Sequence, residues 1–225
     1  MIAMQRVVEP ELMLDPEQAQ AYARADFSVP NQAFCDFLLT RFPNLPRACR
    51  VIDLGCGPGD IVKRLALSRP EWHFTAVDGS PAMLEHVKLM VSESNISNRV
   101  SLVCDRLPTL PSAITQQHYD VVLSNSLLHH LVDPSALWST VRTLGRSGAS
   151  ILVGDLLRPP SPAAAQAIVD THASGEPEIL RRDFFQSLCA AFTPEEITAQ
   201  LETAGLGSLR LEQVSDRHGY VYGTF

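Results

Sequence analysis

The chain has 225 residues, 45% hydrophobic and 19% charged, which is the make-up of one folded domain and not of a disordered segment. Eighteen basic against 25 acidic residues leave a formal charge of -7 with no Lys/Arg stripe, which disfavours nucleic acid as a partner. No run reaches the ~18 apolar residues of a membrane span, and MIAMQRVVEPEL lacks the apolar centre of a secretion signal, so the expectation is a cytoplasmic protein with no membrane partner.

Residues 1 to about 45 are helical in pattern and rich in Ala, Gln and Phe, and read as a cover over a site, with Tyr22 a candidate for its pocket. From Arg50 strand-like and helix-like runs alternate: RVIDL, DIVKRLAL, HFTAV, PAMLEHVKLMV, VSLVC, YDVVLS, SALWSTVRTL and SILVGD. Continuous apolar strands separated by helices predict a parallel sheet covered on both faces, a doubly wound α/β fold with its core at 46–157. Residues from about 158 to 193 break the alternation and read as a helical lid carrying Arg158, His172, Phe184 and Phe185 as pocket candidates. Residues 194–225 predict a helix capped by Thr193 and stopped by Gly205, then an antiparallel hairpin around SDRHG. One domain of 225 residues accounts for all of these segments. The five cysteines, Cys35, Cys49, Cys56, Cys104 and Cys189, form no C-x-x-C pair and read as reduced thiols.

The chemistry concentrates in VIDLGCGPGD, Val51 to Asp60, where a buried strand enters a glycine-rich turn that opens a helix. A dinucleotide fingerprint reads G-x-G-x-x-G, whereas here the third glycine comes one residue early and Asp53 precedes the first by two. Asp53 suits the cationic amino end of a ligand without pyrophosphate. Asp78, nineteen residues after Gly59, suits a ribose diol, and Asp105 in VCDRL suits the amino group of a purine. Three acids at three successive strand ends describe a nucleoside site.

These motifs in this order resemble the class I S-adenosylmethionine (SAM) dependent methyltransferases, in their small-molecule branch. VIDLGCGPGD corresponds to the family's first motif, AVDGSPAML to its second, VCDRL to its third and YDVVLSNSLLHHLVDP to its fourth. The resemblance implies SAM as cofactor and a Rossmann-like seven-stranded sheet with the last strand antiparallel. It implies Asp53, Gly55 and Gly57 at the methionine part of SAM, Asp78 at the ribose, Gly79 and Asp105 at the adenine, and Asn125 closing the site. Cys56 and Arg106 complete that set, Cys56 as a packing residue. SNSL stands where base-modifying relatives carry N-P-P-Y, which points away from nucleic-acid substrates.

His129 and His130 follow the fourth strand at the carboxyl edge, where ligands of such sheets bind. His129 is the first choice for a general base toward an acceptor hydroxyl or amine, and His130 the second. No metal is expected, because carboxylates do not cluster at the fourth and fifth strand ends beyond Asp133 and Asp155. The function expected is methyl transfer to O or N of a small molecule. The alternatives are a module binding SAM or its product without transfer, and an aminopropyl transferase.

Overall fold

The computed structural model describes residues 4–9 and 25–225. In chain order the elements are α1 (Ser28–Arg41), β1 (Arg50–Leu54), α2 (Asp60–Ser68), β2 (His73–Asp78), α3 (Pro81–Glu93), β3 (Val100–Cys104), the short α4 (Ser112–Thr115) and β4 (Tyr119–Asn125). A 3-10 turn (Leu128–His130) follows, then α5 (Ser135–Leu144), β5 (Gly145–Leu156), α6 (Pro162–His172), α7 (Glu178–Ala190), α8 (Pro194–Thr203), β6 (Arg210–Gln213) and β7 (His218–Thr224).

The seven strands form one sheet in the order β3-β2-β1-β4-β5-β7-β6, parallel throughout except β7, which runs antiparallel to both neighbours. Alternation along the strands explains why both faces must be covered. Val51, Val121, Leu123 and Leu152 point to one side, where they meet Phe34 and Leu38 of α1, Val62 and Leu65 of α2 and Val87 of α3. Ile52, Leu54, Val122, Ile151 and Val153 point to the other, against Leu137, Trp138 and Val141 of α5 and Ile197 and Leu201 of α8. Each such side chain taken from water contributes roughly 1.5–3 kcal/mol, so neither face is stable bare. Helix stops and starts follow the sequence: Thr193 and Glu196 close a capping box on α8, and Gly205 takes a left-handed φ of 69° just beyond it.

Two expectations for the covering segments change. The described part of the amino-terminal cover, α1, lies in the helical layer on the sheet face, because Phe34 and Leu38 are fully buried there and Phe37 stacks edge-on against Tyr220 and Tyr222. Residues 158–193 do form helices, but α6 and α7 close on each other in a small core of Leu156, Ala165, Val169 and Leu188. Residues 4–9 lie against α7, with Val7 N donating to Cys189 O at 3.1 Å.

Candidate active site

The sheet's winding reverses between β1 and β4, and the carboxyl ends of strands flanking such a switch leave a crevice. The turn after β1 is built for close approach. Gly55 N and Cys56 N both donate to Val77 O, and Gly55, Gly57 and Gly59 take φ of 75°, 52° and 88°, values that suit glycine. They do different work. A Cβ on Gly59 would meet Met90 Cε at 2.7 Å, so that glycine serves helix packing, whereas one on Gly57 would meet nothing within 4 Å and projects into open space.

Asp78 ties the turn to β2: its carboxylate accepts from Gly57 N and Ser80 N, each at 2.8 Å. Burial raises its pKa, and those backbone donors oppose the rise. Asp53 lies beneath the turn, 2% exposed. Burial first, and the Asp78 charge second, push it up to about 7. A buried carboxyl poised near neutrality under a glycine turn is a seat for a cationic group, which would complete its charge.

Above the turn is a cavity of about 260 Å³. Its polar wall carries Gly55, Gly57, Asp78, Gly79, Asp105, Arg106, Asn125 and His130, and its apolar wall Val77, Met83, Leu107, Leu127, Leu131 and Val132. Asp105 accepts from Arg106 N at 2.8 Å, which leaves its second oxygen for a ligand. Of the residues expected from sequence, Asp53, Cys56 and His129 are buried and do not line the cavity. Cys56 is 8% exposed with its thiol pushed up by burial, as befits a packing residue. Among the described residues all five cysteines are free.

The histidines exchange the places expected for them. His129 is 3% exposed, and its Nδ1–H donates to Asp155 Oδ1 at 2.5 Å while its backbone N donates to Asp155 Oδ2. Burial opposes charge on this ring, but Asp155 outweighs it and the pKa rises. His130 is the one on the cavity wall. Its ring lies 4.0 Å from that of His129, and Glu9 Oε2 approaches its Nδ1 at 2.6 Å.

The pocket candidates on the covering segments do not reach this cavity. Arg158 is held by Glu196 and Ala191 O, and His172 pairs with Asp216. Phe184 and Phe185 pack on the α6–α7 core, and Tyr22 lies outside the described residues. Sequence reading missed Ser126, Leu127, Leu131 and Val132 on the wall; Ser126 has φ 56°, a conformation that for a serine marks a constrained site.

The model of the "Methyltransferase domain" family matches residues 45–205. The chain belongs to the methyltransferase domain family. Trans-aconitate 2-methyltransferase of Streptomyces avermitilis is 35% identical over 92 residues, 40% of this chain and 33% of that one. Malonyl-[acyl-carrier protein] O-methyltransferase of Hahella chejuensis is 34% identical over 107 residues, 48% and 36% of the two chains. Ubiquinone biosynthesis O-methyltransferase of Xanthomonas campestris is 29% identical over 203 residues, 85% and 73%. The chain thus spans about a third of the length of the first two relatives. Among solved structures, a SAM dependent methyltransferase from Aquifex aeolicus superposes with TM-score 0.65 at 16% identity, over 92% of this chain and 97% of that one. The plantazolicin methyltransferase BamL gives 0.69 at 15% identity, over 93% and 92%.

SAM is the cofactor that the residues of this site fit. Gly57 opens on free space, Asp53 is a buried acid that suits an ammonium group, and Asp78 and Asp105 bring carboxylates to the cavity wall that suit hydroxyl and amine donors. No helix among the described residues is long and apolar enough to cross a membrane.

Proposed function

We propose that this single domain transfers the methyl group of SAM to an oxygen or nitrogen of a small-molecule acceptor in the cytoplasm, with no nucleic acid or membrane partner. The observation that carries the reading is the cavity at the β1–β4 switch, where the space beside Gly57 meets the strand-end acids Asp78 and Asp105, with Asp53 buried beneath the glycine turn. Two of the three relatives above are named as O-methyltransferases, which favours an oxygen acceptor.

When bound, SAM supplies a methyl group on a positively charged sulfur. The chain's task is alignment and exclusion of water, and orientation alone lowers a barrier by up to ~7–11 kcal/mol. Asp53 holds the ammonium end, Asp78 the ribose hydroxyls, Gly79, Asp105 and Arg106 the purine edge, and Asn125 bounds the site from β4. Leu127, Leu131 and Val132 close the apolar side. His130 is the acceptor-side group, and His129, fixed by Asp155, supports it from below.

The test is release of S-adenosylhomocysteine over a panel of phenols, carboxylic acids and amines. Turnover on at least one class is expected. Tight SAM binding with no turnover on any class would turn the reading to a binding module, and preference for decarboxylated SAM to an aminopropyl transferase.

A further inference from the structure

The 3-10 turn and the amino-terminal segment bring together a cluster that cofactor binding does not use. Ligand atoms of Glu9, His129 and His130 all lie within 4.8 Å of one another, from positions 120 residues apart in sequence. Each of the two inner ligands is fixed by an outer partner. His129 gives its Nδ1–H to Asp155 and so presents Nε2, and Glu9 takes a hydrogen bond from Ser187 on Oε1 at 2.7 Å and so presents Oε2. Carboxylate–histidine and hydroxyl–carboxylate pairs of this kind orient metal ligands and set their tautomer.

The third ligand is unsatisfied. Glu9 Oε2 and His130 Nδ1 are both buried and stand 2.6 Å apart without a well-aligned hydrogen bond. With His130 Nδ1 unprotonated, two buried lone pairs face each other there, an arrangement that is costly unless a cation lies between or beside them. A cation at about 2.1 Å from each would hold them about 3.4 Å apart in tetrahedral geometry, so binding opens the pair by roughly 0.8 Å. Arg6 secures the turn itself, donating to the carbonyls of His129 and Leu131 at 2.9 and 2.8 Å.

We propose that Glu9, His129 and His130 form a binding site for one divalent first-row transition cation at the wall of the cofactor cavity. Two imidazole nitrogens and one carboxylate suit zinc, iron or manganese better than calcium or magnesium, and three protein ligands leave a coordination position open. Because His130 also lines the cavity, a cation bound here lies beside that space, and an acceptor oxygen that reached its open position would be held and favoured in its deprotonated form. The cation's role rests on the methyl-transfer reading but its binding does not, so a failed cation titration leaves the SAM assignment untouched.

The experiment uses the full chain, freed of any affinity tag and stripped with a chelator, titrated with Co²⁺ under reducing conditions and followed by visible absorption and equilibrium dialysis. One equivalent is expected, displaced by Zn²⁺, with nitrogen- and oxygen-type bands and no thiolate charge-transfer band. Glu9→Gln and His130→Gln should each weaken binding at least 10-fold, and Asp155→Asn by about 10- to 100-fold through His129. Circular dichroism checks that each variant is folded; Glu9→Gln is decisive if a His variant is not, since Glu9 lies in the amino-terminal segment outside the sheet. Absence of stoichiometric binding, or unchanged affinity in folded Glu9→Gln, overturns the proposal.

Discussion

Replacing Asp53 with Asn separates the cost of a buried acid from its use. In the cofactor-free protein burial and Asp78 lift this carboxyl from 3.8 to about 7, so the folded state holds a proton that the unfolded chain has released. Stability contributed by that proton is complete below about pH 4 and is lost as pH rises toward 7. At ~1.36 kcal/mol per pH unit, the interval caps the loss at about 4 kcal/mol. Asp53→Asn should therefore gain up to about 4 kcal/mol at pH 8 and nothing at pH 4, read from urea unfolding at both. The ammonium of SAM reverses the preference and draws the proton off. Calorimetry in two buffers of different ionisation enthalpy should show release approaching one proton near pH 6 and none above pH 8, with the release absent from Asp53→Asn. Proton-neutral binding by the wild type at pH 6, or a stability gain equal at both pH values, refutes the reasoning.

Gly57→Ala should lose SAM affinity by 10-fold or more at a stability cost of about 1–2 kcal/mol for its φ, whereas Gly59→Ala should cost more stability through Met90 and Val87; calorimetry and thermal melting separate them. Asp78→Ala should weaken SAM by about 10- to 100-fold and also cost about 1–3 kcal/mol in the free protein, because Gly57 N and Ser80 N lose their acceptor. SAM at ~100 times its Kd should stabilise the fold by ~2.7 kcal/mol, roughly 5–10 °C in Tm for a chain of this size. His130→Ala should lower turnover and leave SAM affinity within about 2-fold, while His129→Ala should destabilise by roughly 3–5 kcal/mol, since it strands the buried Asp155 charge; steady-state kinetics and urea unfolding read the two effects.

The strands and helices from Arg50 to Leu156 were legible because burial on both faces demands continuous apolar strands, and the carboxyl-terminal hairpin because the turn residues SDRHG interrupt two apolar runs. Gly55, Gly57, Asp78 and Asp105 were legible for a similar reason, since strand ends and a glycine turn bring short motifs to one edge. The order of the two histidines was not. Both follow β4, and which ring turns inward depends on Asp155, twenty-six residues on, and on a 3-10 turn that no periodicity marks. Glu9 was invisible for the same cause, because nothing local ties residue 9 to residue 130. The aromatic residues of α7 were misassigned to a pocket, since an amphipathic helix looks alike whether it covers a ligand or packs on its neighbour.

The central claim, that the cavity at the β1–β4 switch is a SAM site read by three strand-end acids, is tested most directly by titrating the protein with SAM, decarboxylated SAM and NAD in parallel. One SAM should bind per chain in the micromolar range, with decarboxylated SAM bound no more tightly than SAM and with NAD giving no heat. Heat with NAD and none with SAM or S-adenosylhomocysteine would contradict the account.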